Sequence, residues 1–173
     1  LRDYYERAEA RGEALENTIN NGVHPAYYVA AITPSAAAPI DVDELAVASA
    51  LLGEPARLCA SRSVSVEGIA DAQLIIEGEI LPRVREPEGP FGEVSGYYAL
   101  RDDRWVVRVK AITHRKAPVI HSLLPGREVW NSMGLNVKAN ILDTLSRPVR
   151  GGTNGYLRQG SGTYNALLQL DRP

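Results

Sequence analysis

The chain has 173 residues, 19 Lys+Arg against 21 Asp+Glu, 45% hydrophobic residues and one Cys. That length suits one ordinary domain, or one domain plus part of another, and a chain near it buries roughly 70% of its unfolded surface. A net charge of -2 without a basic block gives no electrostatic case for nucleic acid or an anionic membrane, and near-average composition excludes collagen-like repeats and disorder.

No apolar run approaches the roughly 18 to 20 residues that span a bilayer. The lone Cys59 forms no internal disulfide, which points to a reducing, cytoplasmic setting. Leu1 opens the chain without a Met, and a strand-like ALLQL run is cut off at Pro173, which together predict a piece of a longer protein.

Taken in order, residues 1–13 are rich in helix formers, with Tyr4, Ala8 and Arg11 on one face and Gly12 as the stop. Asn20-Asn21-Gly22 signals a turn. Residues 25–32 carry aromatic and β-branched strand signals, but Pro25 at a first helical position favours a short helix. The segment 33–39 (TPSAAAP) reads as a loop. Asp41 or Asp43 caps the next helix, which Gly53 ends. After Pro55 the period becomes two, with Leu58, Ala60, Val64 and Val66 alternating with polar residues.

Residues 73–81 (QLIIEGEIL) read as a strand with a bulge at Gly78. A Gly/Pro loop follows over 85–96. Residues 97–100 and 105–113 then read as a hairpin about an RDDR turn, and 119–124 as another strand. A helix is expected over 128–145, a Gly-rich stretch over 150–162 and a strand over 164–170. Helices followed by consecutive strands predict an α+β fold with a largely antiparallel sheet or barrel.

The densest chemical signal is EGPFGE at 88–93. Glu88 and Glu93 bracket a segment of two glycines and a proline, and paired carboxylates in different environments can divide into a proton donor and an ionised partner. Phe91 is a candidate to pack beneath them. The spacing alone leaves open a charged surface turn. Glu44, in the first turn of its helix, is either a dipole-complementing surface residue or one ligand of a hard cation. His24, His114 and His121 lack the spacing of a metal site. The THRK cluster at 113–116 faces either an anion or solvent, and Cys59 reads as a core thiol.

The string PEGPFGEVSGYY at 87–98 resembles the signature of the UbiD-type decarboxylases, which use prenylated FMN. YYERAEARGE, HPAYYVAAITP, DELAVASALLGEPARL, ADAQLIIEGEI, VKAITHRKAPVIHSLLPG and YNALLQLDRP follow in that family's order, with 131–161 the weakest stretch. The resemblance implies a flavin-reductase-like split β-barrel with flanking helices over 1–125, and the start of a C-terminal α/β element over 126–173. It implies reversible, non-oxidative (de)carboxylation of an aromatic or α,β-unsaturated acid, in which the flavin is the electron sink and Glu93 the acid–base. Glu88 would share a charged network with Glu93 and an arginine.

By the same resemblance, Glu44 would help a divalent ion, manganese, hold the cofactor phosphate, with potassium as a further candidate ion. Thr33 and Pro34 would approach that phosphate. The expected partners are a small unsaturated or aromatic acid and CO2, with a homo-oligomer or a partner subunit completing the enzyme. In the family the arginine, and the Asn and His that complete the metal site, precede the matching region, so this chain alone is expected to be incomplete. Two other readings remain at this point: a non-catalytic cofactor-binding or assembly subunit, and a plain FMN-binding split-barrel protein.

Overall fold

The computed structural model describes residues 1–33, 42–125, 127–146, 152–157 and 166–170. Helix α1 (Arg2–Arg11) stops at Gly12, whose φ of 72° is the left-handed conformation a glycine adopts without a Cβ clash. The Gly12 N–H donates to the Glu9 carbonyl and the Glu13 N–H to that of Ala8, so orphaned carbonyls of the last turn are satisfied. The buried face is Tyr5 and Ala8, while Tyr4 is 67% exposed. Of the face expected from Tyr4, Ala8 and Arg11, Ala8 is buried, while Tyr5 takes the place of Tyr4 and Arg11 is exposed.

The chain divides into two units. The first comprises Leu1–His24, Ala56–Pro90 and Leu100–Ser122. Its sheet has the order β1-β4-β5, built from β1 (Leu15–Asn21), β4 (Leu74–Glu88) and β5 (Asp102–His114), all antiparallel. A two-residue ladder joins β2 (Leu58–Cys59) to β3 (Gly68–Ile69). Tyr5, Ala8, Val23, Ala72 and Ile80 form the buried apolar set of this unit. Among the described residues the sheet is open, and no ladder closes into a barrel.

The bulge expected at Gly78 is present, since the β4–β5 register shifts between Glu77 and Gly78. Glycine is required there by close approach. A Cβ would lie 2.7 Å from the Arg108 carbonyl oxygen.

The second unit comprises Pro25–Pro55, Phe91–Ala99 and Leu123–Pro173. Helix α2 (Pro25–Ala31) packs against α3 (Glu44–Leu52), and Ala26, Tyr27, Ala30 and Ala48 are buried. Asp43 is the α3 N-cap, its carboxylate accepting the Leu45 N–H at 2.8 Å, and Gly53 closes the helix at φ 76°. Helix α4 (Arg127–Ser146) and the antiparallel pair β6 (Gly152–Leu157) and β7 (Ala166–Leu170) complete the unit.

One strand was not anticipated, and two sequence expectations change. Residues 15–21 form a strand that their polar composition conceals. The expected hairpin of 97–100 with 105–113 does not form, because β5 pairs along its length with β4. Residues 119–124 are not a strand: Val119 N–H donates to Gln73 Oε1, and His121 exchanges backbone bonds with the Asn21 side-chain amide.

Candidate active site

β4 runs seven residues beyond the expected strand end and carries Glu88 as its last member, opposite Asp102. The Arg104 guanidinium lies 3.8 Å from the Glu88 carboxylate and 3.0 Å from that of Asp102. Glu88 and Arg104 are 56% and 60% exposed, so solvent screens this pair. The resemblance places an arginine partner upstream of the matching region; the structure adds a cation from β5 that the sequence gave no reason to single out.

The second half of the motif folds as a small hairpin within the second unit. Gly92 bridges Tyr98, the Ala99 N–H donates to the Phe91 carbonyl at 2.8 Å, and the Glu93 N–H to that of Tyr97 at 2.9 Å. Gly96, at φ 83°, donates its N–H back to the Glu93 carbonyl at 3.0 Å and closes the turn. The backbone of Glu93 is thus tied at both its N–H and its C=O, while its side chain is exposed. Phe91 is 44% exposed and Tyr97 and Tyr98 more so. Phe91 therefore does not form a buried support.

Glu44 is the first residue of α3 and exposed, one position after the capping Asp43. The Thr33 hydroxyl donates to the Val29 carbonyl at 3.0 Å and its N–H to that of Ala30, which ends α2. Pro34 and Asp41 lie outside the described residues. Among the described residues no three His, Cys, Asp or Glu side chains converge to hold a metal ion. Glu44 supplies one carboxylate, which by itself does not fit a metal centre. Within the THRK cluster, Arg115 faces its own chain, donating to the Ala72 and Asp71 carbonyls and lying 3.8 Å from the Asp71 carboxylate. Cys59 is half-buried.

Sequence reasoning missed a pocket of about 440 Å3 in the first unit, lined by Tyr5, Glu9, Arg85, Arg104 and Trp105 among others. The Tyr5 and Trp105 rings are 4.4 Å apart and tilted by 33°, and the Arg85 guanidinium carbon sits 5.2 Å from the Tyr5 ring centroid. Hydrogen bonds from Arg85, Tyr5 and the Arg83 backbone hold the Glu9 carboxyl down at about 2. The only signal for this cluster in the sequence is the i, i+4 spacing of Tyr5 and Glu9 on α1.

Sequence reasoning also missed two buried carboxylates. Glu77 is 2% exposed and accepts the N–H groups of Arg62 and Ser63 and the Ser63 hydroxyl, and these bonds, the Arg62 N–H foremost, lower its pKa. Glu79 is paired with Arg108, and Lys110 lies 3.3 Å away; the Arg108 bond is the main cause of its lowered pKa.

Residues 1–128 match the family model of the 3-octaprenyl-4-hydroxybenzoate carboxy-lyase Rift-related domain, UbiD. An uncharacterized protein from the cooM 5' region of Rhodospirillum rubrum is 45% identical over 168 residues, 96% of this chain and 36% of that protein. A phenolic acid decarboxylase of Bacillus subtilis is 34% identical over 142 residues, 80% of this chain and 29% of the enzyme. An evolved dimeric form of the UbiD-class enzyme HmfF from Pelotomaculum thermopropionicum, solved with prFMN, superposes with a TM-score of 0.93 at 39% identity, covering 99% of this chain and 40% of that one. The chain thus spans well under half the length of these relatives. With the family model covering 1–128 and the fold shared over nearly all the chain, it belongs to the UbiD family.

Proposed function

We propose that the chain is the cofactor-bearing part of a (de)carboxylase that acts reversibly on an aromatic or α,β-unsaturated carboxylic acid through prenylated FMN. The observation that carries this reading is the EGPFGE segment: Glu88 beside Arg104 at the end of β4, and an exposed Glu93 on a backbone-locked turn. The likeness to the HmfF enzyme solved with prFMN supports the cofactor, and the likeness to a phenolic acid decarboxylase supports the substrate class. An exposed carboxylate on a turn flanked by exposed Phe91, Tyr97 and Tyr98 fits a planar group bound beside it.

When bound, the prenylated flavin supplies the electron sink for loss of CO2. Glu93, as the carboxylic acid, would deliver the proton that replaces CO2 on the substrate carbon, and as carboxylate would take a proton from that carbon in the reverse direction. Glu88, with Arg104 beside it at the end of β4, is the second carboxylate that the proposal assigns to the reaction. By the same resemblance, Thr33 and Pro34 would serve the cofactor phosphate, and Glu44 would offer one carboxylate toward a divalent ion. The split barrel that the resemblance implies is part of the same proposal, and the antiparallel β1-β4-β5 sheet is what supports it.

The test is turnover by the full-length protein loaded with prenylated FMN and offered a panel of aromatic and α,β-unsaturated acids. CO2 release from members of the panel is the expected result. Tight binding of ordinary FMN without a divalent metal, and no turnover of any acid, would instead identify a plain FMN-binding protein.

A further inference from the structure

Between Ile80 and Arg85 the β4 ladder is interrupted. Ile80 pairs with Val107 and Arg85 with Trp105, so four residues of β4 oppose the single Val106 of β5. Within this bulge Arg83 has φ 59°, the one positive φ at a non-glycine residue among those described. An L side chain enters that region against a clash of its Cβ, so the conformation persists only where surrounding contacts hold it.

Those contacts come from one face of α1. The Glu9 carboxylate accepts the Arg83 N–H at 2.7 Å and the Arg85 guanidinium at 3.1 Å. The Tyr5 hydroxyl donates to Glu9 at 2.5 Å, accepts from Arg85 at 2.6 Å and lies 3.2 Å from the Leu81 carbonyl oxygen. Both ends of the bulge, Leu81 and Arg85, and its strained middle, Arg83, are therefore tied to two side chains one helical turn apart. Tyr5 is fully buried, which fixes one of those two anchors. Three residues beyond Arg85, the ladder delivers Glu88 opposite Asp102 and within reach of Arg104.

We propose that Glu9, with Tyr5, is a positioning residue for Glu88: by pinning the bulge at residues 81–85 it sets the course of β4 into the EGPFGE segment. The inference rests on the functional reading of that segment and adds to it a determinant some eighty residues away in sequence. The lowered pKa of Glu9 accords with it, because the carboxylate stays ionised, and so able to accept all these bonds, throughout the neutral and mildly acidic range.

The experiment uses the full-length protein loaded with prenylated FMN, as wild type, Glu9→Gln and Glu9→Ala. Amide hydrogen exchange over 81–90 is measured beside steady-state decarboxylation. With Glu9→Ala, exchange in that segment is expected to rise about tenfold while 74–80 keeps its protection. kcat should fall about tenfold to a hundredfold with KM changed by less than about twofold, since misplacing a reacting group costs rate rather than substrate binding. Glu9→Gln, which keeps an acceptor for the Arg83 N–H, should fall between wild type and Ala, and it carries the test if the Ala variant does not fold.

Wild-type exchange over 81–90, equal loss of protection along all of β4, or a loosened segment with unchanged kcat would each overturn the proposal. If wild type turns over no acid at all, the functional reading falls, while the exchange data still decide whether Glu9 pins the bulge.

Discussion

Two sets of glutamates in this chain live opposite lives. Glu77 and Glu79, in the first half of β4, are buried and enclosed by donors: backbone N–H groups and a hydroxyl for one, Arg108 and Lys110 for the other. Glu88, Glu93 and Glu44 are exposed, at a strand end, on a tied turn and at the first position of a helix. A buried carboxylate survives only when its lone pairs are filled, and once filled it has nothing left to offer a substrate. An exposed carboxylate on a fixed backbone keeps its lone pairs for chemistry. The same residue type therefore builds the scaffold in one place and is left available in another, and within β4 the separation is between Glu77 and Glu79 on one side and the terminal Glu88 on the other.

The largest effects on stability should fall on the scaffold side. Tyr5 is fully buried against Trp105 and bonded to Glu9, so Tyr5→Ala should cost about 3–5 kcal/mol by the cavity it leaves. Urea denaturation of the full-length protein measures it. A Tyr5→Phe variant isolates the lost hydroxyl and should cost a fraction of that. Glu77→Ala strands the Arg62 and Ser63 N–H groups and should lower the Tm by several degrees, whereas Glu88→Ala should leave it nearly unchanged. Equal shifts for these two would erase the contrast.

A smaller effect should appear with pH. The folded-state pKa of Glu9 is about 2, below the ordinary 4.5, so its contribution to stability is complete above about 4.5 and is lost as pH falls toward 2. Glu77, Glu79 and Glu16, all shifted down, add to the same acid-side loss. Glu9→Gln should flatten the stability profile between about pH 4.5 and 2, read from Tm against pH; an unchanged slope would show that Glu9 is not held as described. The smallest effect should be that of Glu44→Gln on folding, since the residue is exposed and the cap bond belongs to Asp43. Any loss there should show instead in divalent-ion and cofactor retention by the full-length protein.

Much of the local structure was legible. Gly12 and Gly53 stop their helices, Asp43 caps α3, Pro25 opens α2 and Gly78 marks a bulge, because each rests on a backbone conformation, cap bond or close approach that the residue type itself favours. What failed was non-local. LENTINN at 15–21 has no apolar alternation, yet it is a strand because β4 pairs with it residue for residue. Residues 119–124 have strand composition, but the Gln73 and Asn21 side chains take the backbone groups Val119 N–H and His121 N–H and C=O. The sequence ended this strand at residue 81 and read 85–96 as a Gly/Pro loop, yet β4 continues to Glu88 past a bulge at 81–84 that holds Pro82. The site residues were legible through the EGPFGE string; their surroundings were not. Arg104, Glu9 and Tyr5 come from elements distant in sequence, and no spacing rule links them to Glu88.

In the proposed function, the exposed Glu93 of the tied turn does chemistry and not folding. The measurement that tests it most directly is decarboxylation by the full-length, prenylated-FMN-loaded Glu93→Gln variant, made on protein whose Tm matches wild type. A loss of about a hundredfold to ten-thousandfold in kcat is expected, the span for removal of a general acid–base. Wild-type turnover by that variant would contradict it.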